Sequence, residues 1–220
     1  MSVLQNIENN RIRHLILGGN GFIGRHVALY LANLGFQVSI ASRSPPTFDV
    51  PKSVAKLMTW VKFDMAKADW NALLRGVDVI HHYAWSTVPA SANADPGADL
   101  ALNVAATVAL LEEMCRLPSP PRLVFTSSGG TVYGKLRQIP VSETHELTPI
   151  TAYGASKAAV EHYLSYYRAV YGLDCLVARL ANPYGAGQNL NRGQGAATTF
   201  LFKALNGQPI SIWGEGNTIR

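Results

Sequence analysis

The sequence predicts an α/β protein built around a doubly wound parallel sheet. Short runs rich in Val, Ile and Leu alternate with amphipathic stretches along the chain. The runs are continuously apolar, as strands covered on both faces require, and strand and helix alternate often enough for repeated crossovers between parallel strands. The predicted strands are 13–17, 37–41, 57–63, 77–84, 122–127 and 173–180, and the predicted helices are 22–34, 68–75, 97–116, 152–171 and 195–206.

Composition narrows the class of protein. The 220 residues are 48% hydrophobic and 15% charged, which suits one principal domain with a full core. The net charge of +5 is spread along the chain without a run of like charges, so no nucleic-acid partner is expected. No apolar stretch is long enough to span a bilayer, the start lacks a signal-peptide core, and we expect a cytoplasmic protein. Cys115 and Cys175 fit no metal-binding pattern and are expected to be buried thiols.

A glycine-rich turn follows the first predicted strand. The stretch "LGGNGFIG" reads as G-x-G-x-x-G from Gly19 and as G-x-x-G-x-x-G from Gly18. Glycines at such a turn let the backbone approach a pyrophosphate, and they leave the N-terminus of the next helix facing the phosphates. The turn therefore predicts a dinucleotide-binding fold of the Rossmann type.

The end of the second strand bears on which dinucleotide binds. Folds that prefer NAD usually carry an acid there, about 20 residues after the glycines, to hold the ribose hydroxyls. This chain has Ser42 and Arg43 instead, which suit a 2′-phosphate and favour NADP(H), unless Arg43 is only a loop cation. Asp64, at the end of the third strand, is placed to reach the adenine amino group or to cap the next turn.

Candidate catalytic residues follow the fifth strand. In "YGASK", Tyr153 and Lys157 are four residues apart, so they share one face of a helix. A tyrosine with an ordinary pKa near 10 is a poor base, but a nearby ammonium and an oxidised nicotinamide both stabilise its phenolate. In "FTSSGGTVYG", Ser127 and Ser128 offer hydroxyls that can bind a reacting sugar oxygen, unless they belong to a plain Ser/Gly-rich turn.

The ordered set of motifs resembles a known family. The glycine turn, "NVAAT", "SSGGTVYG", "YGASK" and "RLANPYG" together resemble the extended short-chain dehydrogenase/reductase family, in its NAD-dependent epimerase/dehydratase branch. Within that branch they look most like the UDP-glucose 4-epimerase-like members, over essentially the whole chain. The resemblance implies that the G-x-x-G-x-x-G register, which starts at Gly18, is the one that binds the cofactor.

The resemblance implies a role for each matching residue. Tyr153 would be the general base and acid, Lys157 would bind the nicotinamide ribose and lower the pKa of Tyr153, and Ser128 would be their hydroxyl partner, with Ser127 as second choice. Asn182 and Arg220 would hold the substrate near its diphosphate, whereas Ser128 and Tyr153 would touch its reacting sugar oxygen. The implied cofactor-binding residues are Gly18, Gly21, Phe22, Ile23, Gly24, Ser42, Arg43, Asp64, Met65, Tyr83, Ala84, Trp85, Asn103, Tyr153, Lys157 and Pro183, with Tyr184 alongside.

Two positions are ambiguous on the sequence alone. Asn103 would hold a structural water behind the site, or be a buried packing polar. Trp85 stands where the family usually has a small residue, so its indole either narrows the sugar pocket or points away into the sheet. His81 and His82 face opposite sides of a strand, which makes them structural rather than a metal pair.

Inversion at C4 of a UDP-hexose or UDP-N-acetylhexosamine, with bound NAD or NADP, is the reaction that the resemblance implies. The runner-up is an NADP(H)-dependent reductase of a 4-keto sugar nucleotide, favoured by Ser42 and Arg43. A 4,6-dehydratase is less favoured, because Gly129 and Gly130 stand where that branch has an acidic pair. The presence of Tyr153 and Lys157 argues against a non-catalytic nucleotide-sensing module. The family also implies a homodimer formed by helix pairing.

The resemblance also bears on domain organisation. Residues 1–180 would form the dinucleotide-binding domain and 181–220 the beginning of a substrate-binding region. The ending "ISIWGEGNTIR" resembles a point after which family members continue for roughly a hundred residues, including part of the sugar-nucleotide pocket. We therefore expect these 220 residues to bind the cofactor but to have weak UDP-sugar affinity and little turnover.

Overall fold

A computed structural model describes residues 12–190 and 195–212. Six parallel strands form one sheet in the order β3-β2-β1-β4-β5-β6. The predicted doubly wound parallel sheet is confirmed, because the strand order reverses direction between β1 and β4. The strands are β1 (Arg13–Leu17), β2 (Gln37–Ser42), β3 (Met58–Lys62), β4 (Val79–His82), β5 (Arg122–Ser128) and β6 (Cys175–Leu180).

Seven α-helices lie between or after these strands in the described part of the chain. Two short 3-10 turns, Ala55–Leu57 and Met65–Lys67, flank β3. The α-helices are α1 (Phe22–Asn33), α2 (Trp70–Leu74), α3 (Pro89–Ala94), α4 (Pro96–Asp99), α5 (Ala106–Arg116), α6 (Ala152–Tyr171) and α7 (Ala196–Leu205).

The predicted helix 97–116 is not uniformly α-helical. Between α4 and α5 the chain forms a π-helical stretch, Leu100–Ala105, which contains the buried Asn103. The amide of Asn103 donates to the carbonyl oxygen of Asp99 at 3.1 Å, so a side chain binds one of the carbonyl groups in this segment. Wider turns of this kind are frequent at functional sites.

Apolar side chains cover both faces of the sheet. Buried residues of β1, β4 and β5 pack with α5 and α6 on one face, with Phe125 and Leu111 at its centre. On the other face, Ile16 and Ile40 pack against Ala28 of α1. Covered on both sides, the strands need no polar face, which explains their continuous apolar runs.

Helix α6 is fixed at both ends. The Thr151 hydroxyl accepts a hydrogen bond from the Gly154 amide at 3.1 Å and caps its N-terminus. Gly172 ends it with a φ of +70°, a left-handed conformation that glycine adopts without strain. At Gly154 an added Cβ would lie 2.5 Å from the Thr131 carbonyl oxygen, so only glycine allows this close approach. The first turn of α6 is thereby held against the loop after β5.

Among the described residues, no helix is long and apolar enough to cross a membrane. The same residues contain no cluster of three or more His, Cys, Asp or Glu side chains with the arrangement of a metal site. Cys115 and Cys175 are free thiols, and burial raises the pKa of Cys175 to about 11.

Candidate active site

The glycine turn lies between the end of β1 and the start of α1. Gly18 has a φ of +78°, and an added Cβ there would lie 2.8 Å from the Ala84 amide nitrogen. The Gly21 amide donates to the Gly18 carbonyl oxygen at 2.8 Å. A Cβ at Gly24 would lie only 2.5 Å from that same oxygen. Gly18, Gly21 and Gly24 thus meet around one carbonyl group, as the longer register requires.

This turn fits the diphosphate of a dinucleotide. Gly21 is the N-cap of α1, no acidic residue lies in the first turn, and the helix runs for 12 residues. Amides at a helix N-terminus have no acceptor within the helix and attract anions. Phe22 and Ile23 begin this turn of helix, so their amides belong to the anion-binding end. The glycine contacts and the free helix end together match what the cofactor needs.

At the end of β2, Ser42 and Arg43 differ in how they are held. Ser42 is buried, and its hydroxyl donates to the Ser44 carbonyl oxygen at 2.7 Å and accepts from Trp60 Nε1 at 3.1 Å. Arg43 is exposed and has no hydrogen bond or ion pair within the described residues. Of the two side chains, only that of Arg43 is available to bind a phosphate.

Asp64 caps the turn after β3. Its carboxylate accepts a hydrogen bond from the Ala66 amide at 3.1 Å. Of the two roles that the sequence suggested for Asp64, this contact matches the capping of the next turn. The next residue, Met65, is buried in the core beside Phe63.

Tyr153 and Lys157 lie on one face of α6, and Lys157 is only 3% exposed. The Lys157 ammonium donates to the Thr126 carbonyl oxygen at 2.7 Å and lies 5.7 Å from the centre of the Tyr153 ring. Burial holds the pKa of Lys157 well below its ordinary value, although negative charge on Asp99 and Glu161 opposes this.

Burial, and then the charge of Asp99, raises the pKa of Tyr153 to about 12. A phenol with so high a pKa does not remove a proton at neutral pH unless positive charge is close to it. The Lys157 ammonium is the nearest such charge on α6. For Tyr153 to act as a base, Lys157 would therefore have to carry its charge.

Trp85 faces both members of this pair. Its ring centre lies 3.6 Å from the Lys157 ammonium, and its ring meets the Tyr153 ring edge-to-face at 6.0 Å between centroids. The Phe125 ring is also 6.0 Å away. The indole lies beside Tyr153 and Lys157 and also packs against the buried core of the sheet, so it combines the two orientations that the sequence left open. Tyr83 and Ala84, just before it, form the backbone against which Gly18 packs.

Ser127 and Ser128 end β5 with different surroundings. The Ser127 hydroxyl is buried and donates to the carboxylate of Glu161. Successive side chains of a strand face opposite sides, so Ser128 does not share this contact. Ser128 is half-buried, and its hydroxyl has no hydrogen bond within the described part of the chain. This difference favours Ser128 as the hydroxyl available to a substrate.

The buried Glu161 of α6 forms a network of hydrogen bonds that the sequence did not predict. Arg179 on β6 binds the Glu161 carboxylate through two nitrogens, with Nη2 to Oε2 at 2.6 Å and Nε to Oε2 at 3.0 Å. Its other terminal nitrogen donates to the Tyr133 hydroxyl at 3.0 Å and to the Glu143 carbonyl oxygen at 2.8 Å. The network ties α6 to β6 and to the loop after β5. The sequence does indicate that Glu161 is buried, because it lies four residues after Lys157 on the same face of α6, but it does not indicate its partners.

Asn103 makes direct protein contacts. Its side-chain oxygen accepts from the Ser86 amide at 2.8 Å, and its amide donates to Asp99 Oδ1 at 2.9 Å. The Thr87 hydroxyl donates to the same Asp99 oxygen. These bonds fix the segment that follows β4. Of the two roles suggested by the sequence, the packing role matches these contacts.

The adjacent histidines face opposite sides of β4, as predicted. His81 Nε2 lies 3.0 Å from His14 Nδ1, whereas His82 Nε2 lies 3.1 Å from the Thr107 hydroxyl. Thr107 in turn donates to the Asn103 carbonyl oxygen at 2.7 Å, so the protonated Nε2 of His82 is the donor to Thr107. Burial, and then the Lys157 charge, lowers the pKa of His82 to about 3.

The segment after β6 holds three of the remaining site residues. Asn182, Pro183 and Tyr184 are exposed, and Asn182 has a φ of +35°. This left-handed conformation is uncommon outside glycine and turns the chain sharply after β6. Arg220 lies outside the described residues.

Known proteins share the fold of this chain. Residues 14–220 match the model of the NAD dependent epimerase/dehydratase family. The chain belongs to this family of enzymes.

Individual relatives share most of the chain. It is 34% identical to the UDP-glucose 4-epimerase of Mycolicibacterium smegmatis, over 95% of this chain and 68% of that protein. It is 32% identical to a dTDP-4-dehydro-6-deoxyglucose reductase of Escherichia coli, over 91% of this chain and 65% of that protein. The structure of Thermus thermophilus UDP-glucose 4-epimerase in complex with NAD superposes with a TM-score of 0.79 at 30% identity, covering 90% of this chain and 64% of that one. The chain thus spans about two thirds of these relatives' length.

Proposed function

We propose that this protein is a nucleotide-sugar 4-epimerase acting on a UDP-hexose or UDP-N-acetylhexosamine. The observation that carries the proposal is the buried pairing of Tyr153 with Lys157 on α6, together with a Ser128 hydroxyl that has no hydrogen bond within the described residues and the glycine turn at the same edge of the sheet. In an open parallel sheet, ligands bind outside the carboxyl ends of the strands, where all these residues lie. The names of the 4-epimerase relatives support the reaction.

The chain's own residues divide the work. Tyr153 removes the proton of the sugar C4 hydroxyl and returns a proton to the C4 oxygen when the product forms. Ser128 holds that oxygen by a hydrogen bond, and Lys157 supplies the positive charge that stabilises the Tyr153 phenolate. When bound, the nicotinamide accepts and returns a hydride at C4 and adds a second positive charge in its oxidised form.

The cofactor would lie across the sheet from the glycine turn to α6. Gly18, Gly21 and Gly24 would hold the diphosphate, and Lys157 would hold the nicotinamide ribose. NAD is favoured by the family and by the Thermus thermophilus relative, whereas the free, exposed Arg43 suits NADP. Mass spectrometry of the nucleotide released from the purified protein decides between them.

The reaction is tested by NMR of UDP-sugars incubated with the chain in deuterated water, with the Tyr153→Phe variant as control. A 4-epimerase gives the C4 epimer with no solvent deuterium in the sugar and no net change in cofactor, because the same hydrogen leaves and returns. Deuterium in the product would indicate a dehydratase and contradict the proposal. Titration calorimetry with NAD shows separately whether the cofactor domain is intact.

The E. coli relative and Arg43 favour a second candidate, an NADP(H)-dependent reductase of a 4-keto sugar nucleotide. Such an enzyme consumes one NADPH for each sugar reduced, so loss of NADPH absorbance with a 4-keto substrate identifies it. The epimerase, by contrast, leaves the cofactor unchanged after each turnover.

We further propose that the protein is a cytoplasmic homodimer. Three exposed tyrosines, Tyr163, Tyr166 and Tyr171, lie along α6 and suit a helix-to-helix interface. The free thiols Cys115 and Cys175 suit a reducing compartment. Analytical ultracentrifugation of the wild type and of Tyr166→Glu tests the dimer, because a buried carboxylate at that surface opposes association.

A further inference from the structure

Lys157 carries an ammonium group in an unusual environment. It is almost fully buried, and its one hydrogen bond in the described part of the chain is to the neutral Thr126 carbonyl oxygen. Within that part, no carboxylate lies at ion-pair distance from it. A buried charge normally has a counter-ion or loses its charge. Because burial lowers the pKa of Lys157, its charge needs a stabilising contact if the ammonium is to persist.

Aromatic rings occupy the place of a counter-ion. The Lys157 ammonium lies 3.6 Å from the centre of the Trp85 ring and 4.8 Å from that of Phe125. Both distances are well inside the range of about 6 Å for cation–π attraction, and tryptophan provides the strongest such face. A ring has no lone pair to accept a particular N–H bond. It stabilises the charge without dictating where the other protons of the ammonium point.

Trp85 is held firmly in this position. The Ser86 amide is bound by Asn103, and the Thr87 hydroxyl is bound by Asp99, so the two residues after Trp85 are anchored to buried side chains. The indole N–H is itself buried and has no acceptor among the described residues. Packing and the lysine charge, rather than a hydrogen bond from the indole N–H, keep the indole in place.

We propose that Trp85 is a positioning residue of the reaction centre, whose indole face helps keep the Lys157 ammonium charged beside Tyr153. The inference rests on the proposed function for its catalytic meaning, but the contact itself does not. The other groups that face Lys157 are Asp99 from α4, Glu161 and Tyr153 from α6, and the neutral His82 from β4. Asp99 and Glu161 attract the ammonium, but neither forms an ion pair with it.

The test is an NMR titration of Lys157 in the full chain with 13C-labelled lysine, the signal being assigned by its loss in Lys157→Met. Trp85→Leu removes the π face, whereas Trp85→Phe keeps a weaker one. We expect the pKa of Lys157 to fall by roughly one pH unit in Trp85→Leu and by less in Trp85→Phe. The ring-current displacement of the Lys157 methylene signals should be smallest in Trp85→Leu, in which the more distant Phe125 and Tyr153 rings remain. Equal titration in all three proteins would overturn the proposal.

Fluorinated tryptophan gives a second measurement that does not depend on the folding of Trp85→Leu. Each added fluorine weakens the negative face of the indole with little change in shape, so the pKa of Lys157 should fall stepwise with fluorine number. Trp85→Phe grown on the same amino acids controls for the three other tryptophans of the chain. A Lys157 titration that is independent of fluorine number would overturn the proposal.

Activity provides the last readout. If Trp85 acts through Lys157, Trp85→Leu narrows the pH profile of kcat, because the lysine loses its proton at lower pH and the Tyr153 phenolate loses support. A purely structural role lowers kcat at every pH without moving either limb. A fluorine-dependent titration in a chain that converts a UDP-sugar into a product other than its C4 epimer would contradict the proposed function and leave the Trp85 contact established.

Discussion

Helix α6 carries two buried charged residues one turn apart, and they are held in opposite ways. Glu161 is bound by the Arg179 guanidinium and by the Ser127 hydroxyl, so its charge is neutralised by hydrogen-bonded partners. Lys157 has a carbonyl oxygen and aromatic faces but no ion pair within the described chain. Burial alone therefore does not distinguish a charge with a structural role, such as Glu161, from one proposed to act in the reaction, such as Lys157. The distinguishing feature is whether hydrogen-bonded partners already neutralise the charge.

The largest expected effect is on turnover, and it comes from removing the charge of Lys157. Lys157→Met should lower turnover by roughly 10²-fold or more, because Tyr153 loses the cation that stabilises its phenolate. Its free energy of unfolding should equal or exceed that of the wild type, since a buried cation without an ion pair is costly. Steady-state kinetics and urea unfolding measure the two quantities. A clear loss of stability would contradict this view of Lys157.

Removing the charge of Glu161 should have the opposite effect, lowering stability more than turnover. Glu161→Gln leaves Arg179 without its counter-ion and should cost about 2 to 3 kcal/mol of stability, less than for a fully buried pair because the Arg179 side chain is 21% exposed. The double variant Glu161→Gln/Arg179→Met should recover part of this loss. Urea unfolding of the four proteins in the cycle measures the coupling. Additive losses would show that the pair does not act as a unit.

A third buried ionisable group, His82, sharpens the comparison because it stays neutral. Its pKa of about 3 in the folded chain lies below the ordinary value of 6.5. As the pH falls below 6.5, the unfolded chain binds a proton that folded His82 does not, so stability is lost at about 1.4 kcal/mol per pH unit. His82→Gln should lose about 2 kcal/mol less than the wild type between pH 6.5 and 5. Parallel stability curves would rule out this proton linkage.

The smallest expected effect comes from removing the exposed charge of Arg43. Arg43 is exposed and unpaired among the described residues, so Arg43→Ala should leave stability within about 0.5 kcal/mol of the wild type. It should weaken NADP binding roughly tenfold and NAD binding little, because only NADP offers a phosphate for a charge-assisted contact. Calorimetric titration with both nucleotides measures this. Equal losses for the two would make Arg43 a bystander.

Periodic features were predictable from the sequence, and pairings between distant elements were not. The bounds of α6 match the prediction at both ends, because Thr151 and Gly172 give clear capping signals. The contact between Glu161 and Arg179 joins a helix to a strand 18 residues later, and no motif announces it. The side on which Trp85 lies was undecidable for a similar reason. It depends on how Asn103 and Asp99 hold the next two residues.

The π-helical stretch between α4 and α5 makes the length of this segment as important as its composition. One residue rotates an α-helix by about 100°, so deleting one residue between Asn103 and Thr107 would turn one side chain away relative to the other. Asn103 would no longer reach Ser86 while Thr107 reached His82. Point substitutions here remove single bonds, whereas a one-residue deletion separates two sets of contacts at once. Sequence drift at this place should therefore show substitutions but no insertions or deletions.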